Sequence, residues 1–128
     1  MGIKRKCFCL KQNLGVRHRL VELVVILLRN AGLHIFTPQG EWLATWPGFV
    51  HPCKIYIDQN DIMYVAELEA RVTICDLEGN ILARTDGERT HEPGKFWAPH
   101  GIWCDSEGSM YVAEVLQGQK LQKFARTK

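Results

Sequence analysis

The chain has 128 residues, 46% apolar and 23% charged, which is the usage of one globular domain or part of one and excludes a disordered or collagen-like chain. Sixteen basic against fourteen acidic residues leave a formal net charge of +2, too small for a strong overall field toward nucleic acid or an anionic membrane. No apolar run reaches the roughly 18–20 residues of a membrane-spanning helix, so neither nucleic acid nor membrane is expected as a partner.

Charge is unevenly placed. Residues 1–20 carry six basic residues and no acid, whereas the rest carries ten basic and fourteen acidic residues, a net of −4. Residues 1–29 read as a basic leader that contributes part of a truncated blade. The run LVELVVILL (Leu20 to Leu28) holds Glu22, starts late and is followed by no small-residue cleavage site, which argues against a secretory signal. The five cysteines, Cys7, Cys9, Cys53, Cys75 and Cys104, are odd in number and lack the spacing of a disulfide scaffold, so reduced thiols and a cytoplasmic setting are favoured. Cys7 and Cys9 with His18 fall short of zinc-site spacing.

Downstream, the chain repeats. PCKIYIDQNDIMYVAE (Pro52 to Glu67) aligns without gaps on PHGIWCDSEGSMYVAE (Pro99 to Glu114) at an offset of 47, with eight of sixteen positions identical. LHIFTPQGEWLATW (Leu33 to Trp46) aligns on VTICDLEGNILART (Val72 to Thr85) at an offset of 39, and KLQKF (Lys120 to Phe124) stands where RVTIC (Arg71 to Cys75) stood. The period suits propeller blades or helical repeats. Short runs of period-2 alternation rich in Val, Ile and Tyr decide for strands, and the Asp-, Asn- and Gly-rich clusters between them are turns.

In chain order the pattern predicts strands over 23–26, 33–36 and 41–46, then 54–57, 62–67, 71–75 and 80–85, then 101–104, 110–114 and 120–124. The expected fold is all-β: a partial β-propeller of two to three four-stranded antiparallel blades. Residues 30–50 end a first blade, 51–97 form a middle blade and 98–128 a last one.

APHGIWCDSEGSMYVAEV followed by KLQKF resembles the NHL-type repeat of six-bladed β-propellers, with its Pro-His-Gly start, Asp-x-x-Gly turn, YVA-acid strand and basic-apolar strand ending in Phe. The resemblance covers residues 30–126 and marks fold rather than activity, because one fold hosts many functions. Within that superfamily the Pro-His blade resembles the peptidyl-α-hydroxyglycine α-amidating lyase group. That resemblance implies a channel zinc held by three histidines, of which His100 is the one counterpart here. It is incomplete: Ala98 replaces a Met, Gly101 replaces an Asp, and the other zinc histidines and the catalytic Tyr and Arg have no counterpart; Cys53, which stands where His100 stands in the next repeat, does not depart from the pattern, because the penultimate blade of those lyases supplies no zinc His.

The function expected is therefore a binding or scaffold module, not catalytic alone. The alternative is a zinc-dependent lyase, cleaving peptidyl-α-hydroxyglycine to peptide amide and glyoxylate once completed by further blades. His100 and Trp97 are the expected ligand contacts at the channel face, for a small ligand or a protein, and His100 the one expected metal ligand. The plainer reading makes His100 a blade-junction residue. Trp103 is expected in the core, and Trp42 and Trp46 in packing between blades. His34, His51 and His91 read as solvated or loop-packing residues. Arg84, Arg89 and Lys95, interleaved with Asp86, Glu88 and Glu92, read as a solvated loop. Glu67 and Glu114 recur at matching positions, which points to a structural task such as caging loop N–H groups rather than to a unique catalytic base.

A six-bladed ring of about 40 residues per blade needs roughly 240 residues. Two or three blades leave sheet faces larger than the apolar patch usual on a monomer. The expected resolutions are a fragment of a longer protein, self-association through exposed blade faces, partial capping by residues 1–29, or little folding alone.

Overall fold

The computed structural model describes residues 7–10, 24–28, 32–37 and 39–127. The remainder of the leader, His18 included, lies outside them. The fold is all-β. The first sheet contains β1 (Cys7–Leu10), β2 (Val24–Leu28), β3 (Gly32–Phe36) and β4 (Trp42–Trp46), in that order. The middle sheet contains β5 (Pro52–Ile57), β6 (Met63–Glu67), β7 (Arg71–Cys75) and β8 (Ile81–Arg84), and the last contains β9 (Pro99–Cys104), β10 (Met110–Glu114) and β11 (Leu121–Phe124). Every neighbouring pair is antiparallel, so each sheet is a meander like one propeller blade.

The first sheet has four strands where alternation marks three. CFCL at β1 pairs with β2 through Cys7 to Leu27 and Leu10 to Val24. It is too short, and too closely set among basic residues, to announce itself by period.

The turns explain the repeat. Asp58 Oδ1 accepts from the N–H of Asn60 (2.8 Å) and Ile62 (3.0 Å), and its other oxygen from the Tyr64 hydroxyl (3.2 Å). At the offset of 47, Asp105 accepts from the N–H of Glu107 (3.0 Å) and Ser109 (2.9 Å) and from the Tyr111 hydroxyl (3.0 Å). An Asp side chain thus supplies the acceptor that two turn N–H groups need, and Tyr six residues on locks it. Gly79 closes the matching turn between β7 and β8 at φ +92°, and a Cβ there would stand 2.9 Å from Trp46 Cε2. Only glycine meets both demands.

Two cores sit between sheets. Leu33, Ile35, Ala44 and Trp46 of the first sheet pack on Phe49, Ile55, Met63, Val65 and Cys75. Tyr56, Tyr64, Ala66 and Val72, on the other face of the middle sheet, pack with Phe96, Ile102, Val112 and Phe124 of the last unit. The middle sheet is therefore covered on both sides, which is how stacked repeats bury surface that no single meander buries alone.

Trp103 is a correction to the sequence reading. It lies 53% exposed on β9, against Tyr56 (6.5 Å between ring centroids) and Tyr111 (5.5 Å). Successive strand residues face opposite sides. Ile102 and Cys104 take the covered side, and Trp103 falls on the open one.

Candidate functional site

Each recurring glutamate fastens the loop that enters its own sheet. Glu67, fully buried, accepts from the Val50 N–H (2.6 Å), from Arg71 Nη2 (2.7 Å) and Nε (3.0 Å), and from the Thr73 hydroxyl (2.5 Å). Glu114 repeats the arrangement. It accepts from the N–H groups of Trp97 and Ala98, with Lys120 Nζ at 3.5 Å and Gln122 Nε2 at 3.3 Å in the places of Arg71 and Thr73. A buried carboxylate is tolerated because donors surround it. This caging role is the one the repeat implied.

The loop between β8 and β9 is pinned from outside as well. Gly94 N–H donates to Gln122 Oε1 (2.8 Å), Gln122 Nε2 to the Lys95 carbonyl (2.7 Å), and Lys120 Nζ to the His91 and Glu92 carbonyls (3.3 Å each). On this scaffold the Trp97 ring stacks on His91 (centroids 4.5 Å apart, 12° between planes), with the Arg89 guanidinium 6.0 Å from its centre. Arg89 Nη2 also meets Glu69 Oε2 at 2.8 Å, and His51 Nδ1 meets Glu69 Oε1 at 2.9 Å. The hydrogen bond from Arg89, then that from His51, holds the Glu69 carboxyl below its ordinary range.

His91, Trp97, Arg89, Glu69 and His51 thus form one continuous row. Sequence reading singled out Trp97 but not the row, because its partners come from three separated segments. A flat ring flanked by a guanidinium and an imidazole suits a planar or anionic contact. It holds no activated nucleophile. Cys75 and Cys104 are buried thiols, each pushed up to about 11 chiefly by burial, and act as small apolar fillers.

His100 lies on β9, exposed. Cys53, its counterpart on β5, has its thiol 3.3 Å from the His51 carbonyl. A zinc centre takes about three protein ligands. Among the described residues no three His, Cys, Asp or Glu side chains gather to hold a metal, so His100 belongs to no such set there. His34 is half-buried rather than solvated, its Nδ1 3.3 Å from Thr45 Oγ1. Arg84 is tied to the middle sheet by a 2.8 Å hydrogen bond from Nε to Thr73 Oγ1 and stacks on Phe49. Lys95 and Glu92 pair at 3.4 Å on the exposed loop.

No family model and no curated protein matches this sequence.

Proposed function

We propose that the chain is an NHL-type β-propeller unit that works as a binding or scaffold module, offering the row of His91, Trp97 and Arg89, with His100 on the neighbouring inner strand, to a small ligand or a protein. The observation that carries this reading is the use of the recurring acids. Glu67 and Glu114 are both consumed in fastening loops. What remains distinctive at the loop end is an aromatic and basic surface on a rigid support, and such a surface binds rather than reacts.

The experiment is equilibrium dialysis against zinc with the wild-type chain and His100→Ala. The expected result is no stoichiometric metal that depends on His100. A stoichiometric zinc lost on His100→Ala overturns the module reading in favour of the amidating-lyase chemistry that the Pro-His blade resembles.

A further inference from the structure

The first and middle sheets have four strands and the last has three, with β11 as its outer edge. One bond fixes the backbone direction along β11: the Glu114 N–H donates to the Lys120 carbonyl (2.8 Å), which turns Lys120 toward β10. Backbone groups alternate along an antiparallel strand, so Gln122 and Phe124 also turn inward, while Leu121 and Lys123 present their N–H and C=O groups outward. Val72 occupies the place of Leu121 one repeat earlier, and its outward carbonyl accepts from the Thr85 N–H (3.1 Å) beside β8. Among the described residues no strand takes that place on β11. The Arg126 N–H donates to Ser109 Oγ (3.3 Å), so the chain runs on past the turn between β9 and β10 instead of folding back along the edge. Leu121 is 69% exposed and the Lys123 side chain 53%. Two residues apart on a strand, they share one face.

We infer that β11 takes up an extended acidic segment of a partner protein as a fourth strand, antiparallel to it, with an apolar side chain beside Leu121 and a carboxylate beside Lys123. In such strand addition the main-chain hydrogen bonds give affinity and the side chains give choice. Charge selects the occupant. After Glu114 the chain carries Lys120, Lys123, Arg126 and Lys128 and no acid. Lys120 is engaged by Glu114 and by the His91 and Glu92 carbonyls, whereas Lys123 stands half in solvent, 3.9 Å from Asp105. A second copy's β11 laid along this edge sets lysines beside lysines, and like charges across a strand pair repel. A strand bearing a carboxylate meets the same edge with attraction. The inference uses neither His100 nor the row at Trp97, so it stands or falls apart from the module reading.

The test is an amide NMR titration of the full chain with the end-blocked peptide Thr-Glu-Thr-Val-Thr-Glu-Thr. Saturable shifts are expected at Leu121 and Lys123. N-methylation of the valine, whose N–H points at β11, weakens binding by about tenfold or more. N-methylation of the central threonine, whose N–H points away, leaves it unchanged. Lysine in place of both glutamates weakens binding by about fivefold. Lys123→Glu reverses that preference, and far-UV circular dichroism checks that the variant keeps its sheets. The peptide changes carry the test without touching the fold. Absence of shifts at β11, equal effects of the two N-methyl groups, or a charge preference indifferent to Lys123→Glu overturns the inference. So does light scattering that finds the chain alone at twice 14.7 kDa and closed to the peptide, which gives the edge to a second copy.

Discussion

The pentapeptide Met-Tyr-Val-Ala-Glu occurs twice, as β6 and as β10, and the two copies differ in what covers them. In β6 the run is buried on both faces of the sheet, with only Tyr64 partly exposed, whereas in β10 the alanine is exposed and the methionine and tyrosine partly so. The sequence is the same, the register to the neighbouring strands is the same, and the turn Asp locks the tyrosine in both. Strand formation is thus local, while burial is a property of the stack.

The largest expected effect sets the two alanines against each other. Ala66→Glu places a charge between the middle and last sheets where no partner waits, which costs about 4 kcal/mol or more, a large share of the stability of a domain this size. Ala113→Glu puts the same group on the open face and shifts single-chain stability by no more than about 0.5 kcal/mol. Urea unfolding of the dilute chain measures both. Equal losses would mean that the last sheet is covered after all.

Next come the two glutamates. Glu67→Ala strands Arg71 and orphans the Val50 N–H, and is expected to cost about 3–5 kcal/mol, the range for breaking a buried pair from one side. Glu114→Ala leaves Lys120 able to turn to solvent and orphans two N–H groups, at about 1–3 kcal/mol. If Glu114→Ala proves the more damaging, the loop before β9 rather than the middle sheet is the keystone of the fold.

A smaller difference separates the buried thiols. Cys75 lies between the first and middle sheets, and Cys104 between the middle and last. With both pushed up to about 11, only about a thousandth of either is thiolate at pH 8, and neither is expected to react with iodoacetamide in the folded chain. As denaturant rises, Cys104 labels first, because a sheet packed on one side only opens at lower cost. Peptide mass spectrometry reads the order. Simultaneous labelling would make the three sheets one cooperative unit.

What could be read from the sequence follows the same division. Strands β2 to β11, their turns and the caging task of Glu67 and Glu114 were readable because each leaves a local mark: alternation, an Asp or Gly at a fixed place, or recurrence at one offset. Trp103 was misread because alternation says that neighbouring residues part company, not which side the next sheet takes. The Arg89–Trp97–His91 row was invisible because Glu69 and His51 join it from the β6–β7 turn and the entry to β5, segments that the folded middle sheet brings beside the loop after β8. β1 was missed because four residues of CFCL carry too little pattern.

The smallest expected effect concerns the tie between the middle sheet and the loop that precedes the last one. The ordinary Glu value is 4.5, and the Glu69 carboxyl is held below it by hydrogen bonds from Arg89 and then His51. A carboxylate depressed in the folded state binds fewer protons there than when unfolded, so its stabilisation is fully present above the unfolded value and is lost as pH falls through the folded one. Arg89→Ala removes the larger cause. Its stability deficit relative to wild type should be constant at neutral pH and shrink as pH drops below the ordinary carboxylate range. The pair is partly exposed, so salt screens it and the deficit is small. Carboxyl NMR titration is therefore the sharper reading: Glu69 should titrate at higher pH in Arg89→Ala than in wild type, with Asp76, held down independently by Asn80, unmoved. If Glu69 titrates alike in both, Arg89 spends its time over Trp97 instead, and the loop is tied to the last sheet through Glu114, Lys120 and Gln122 alone.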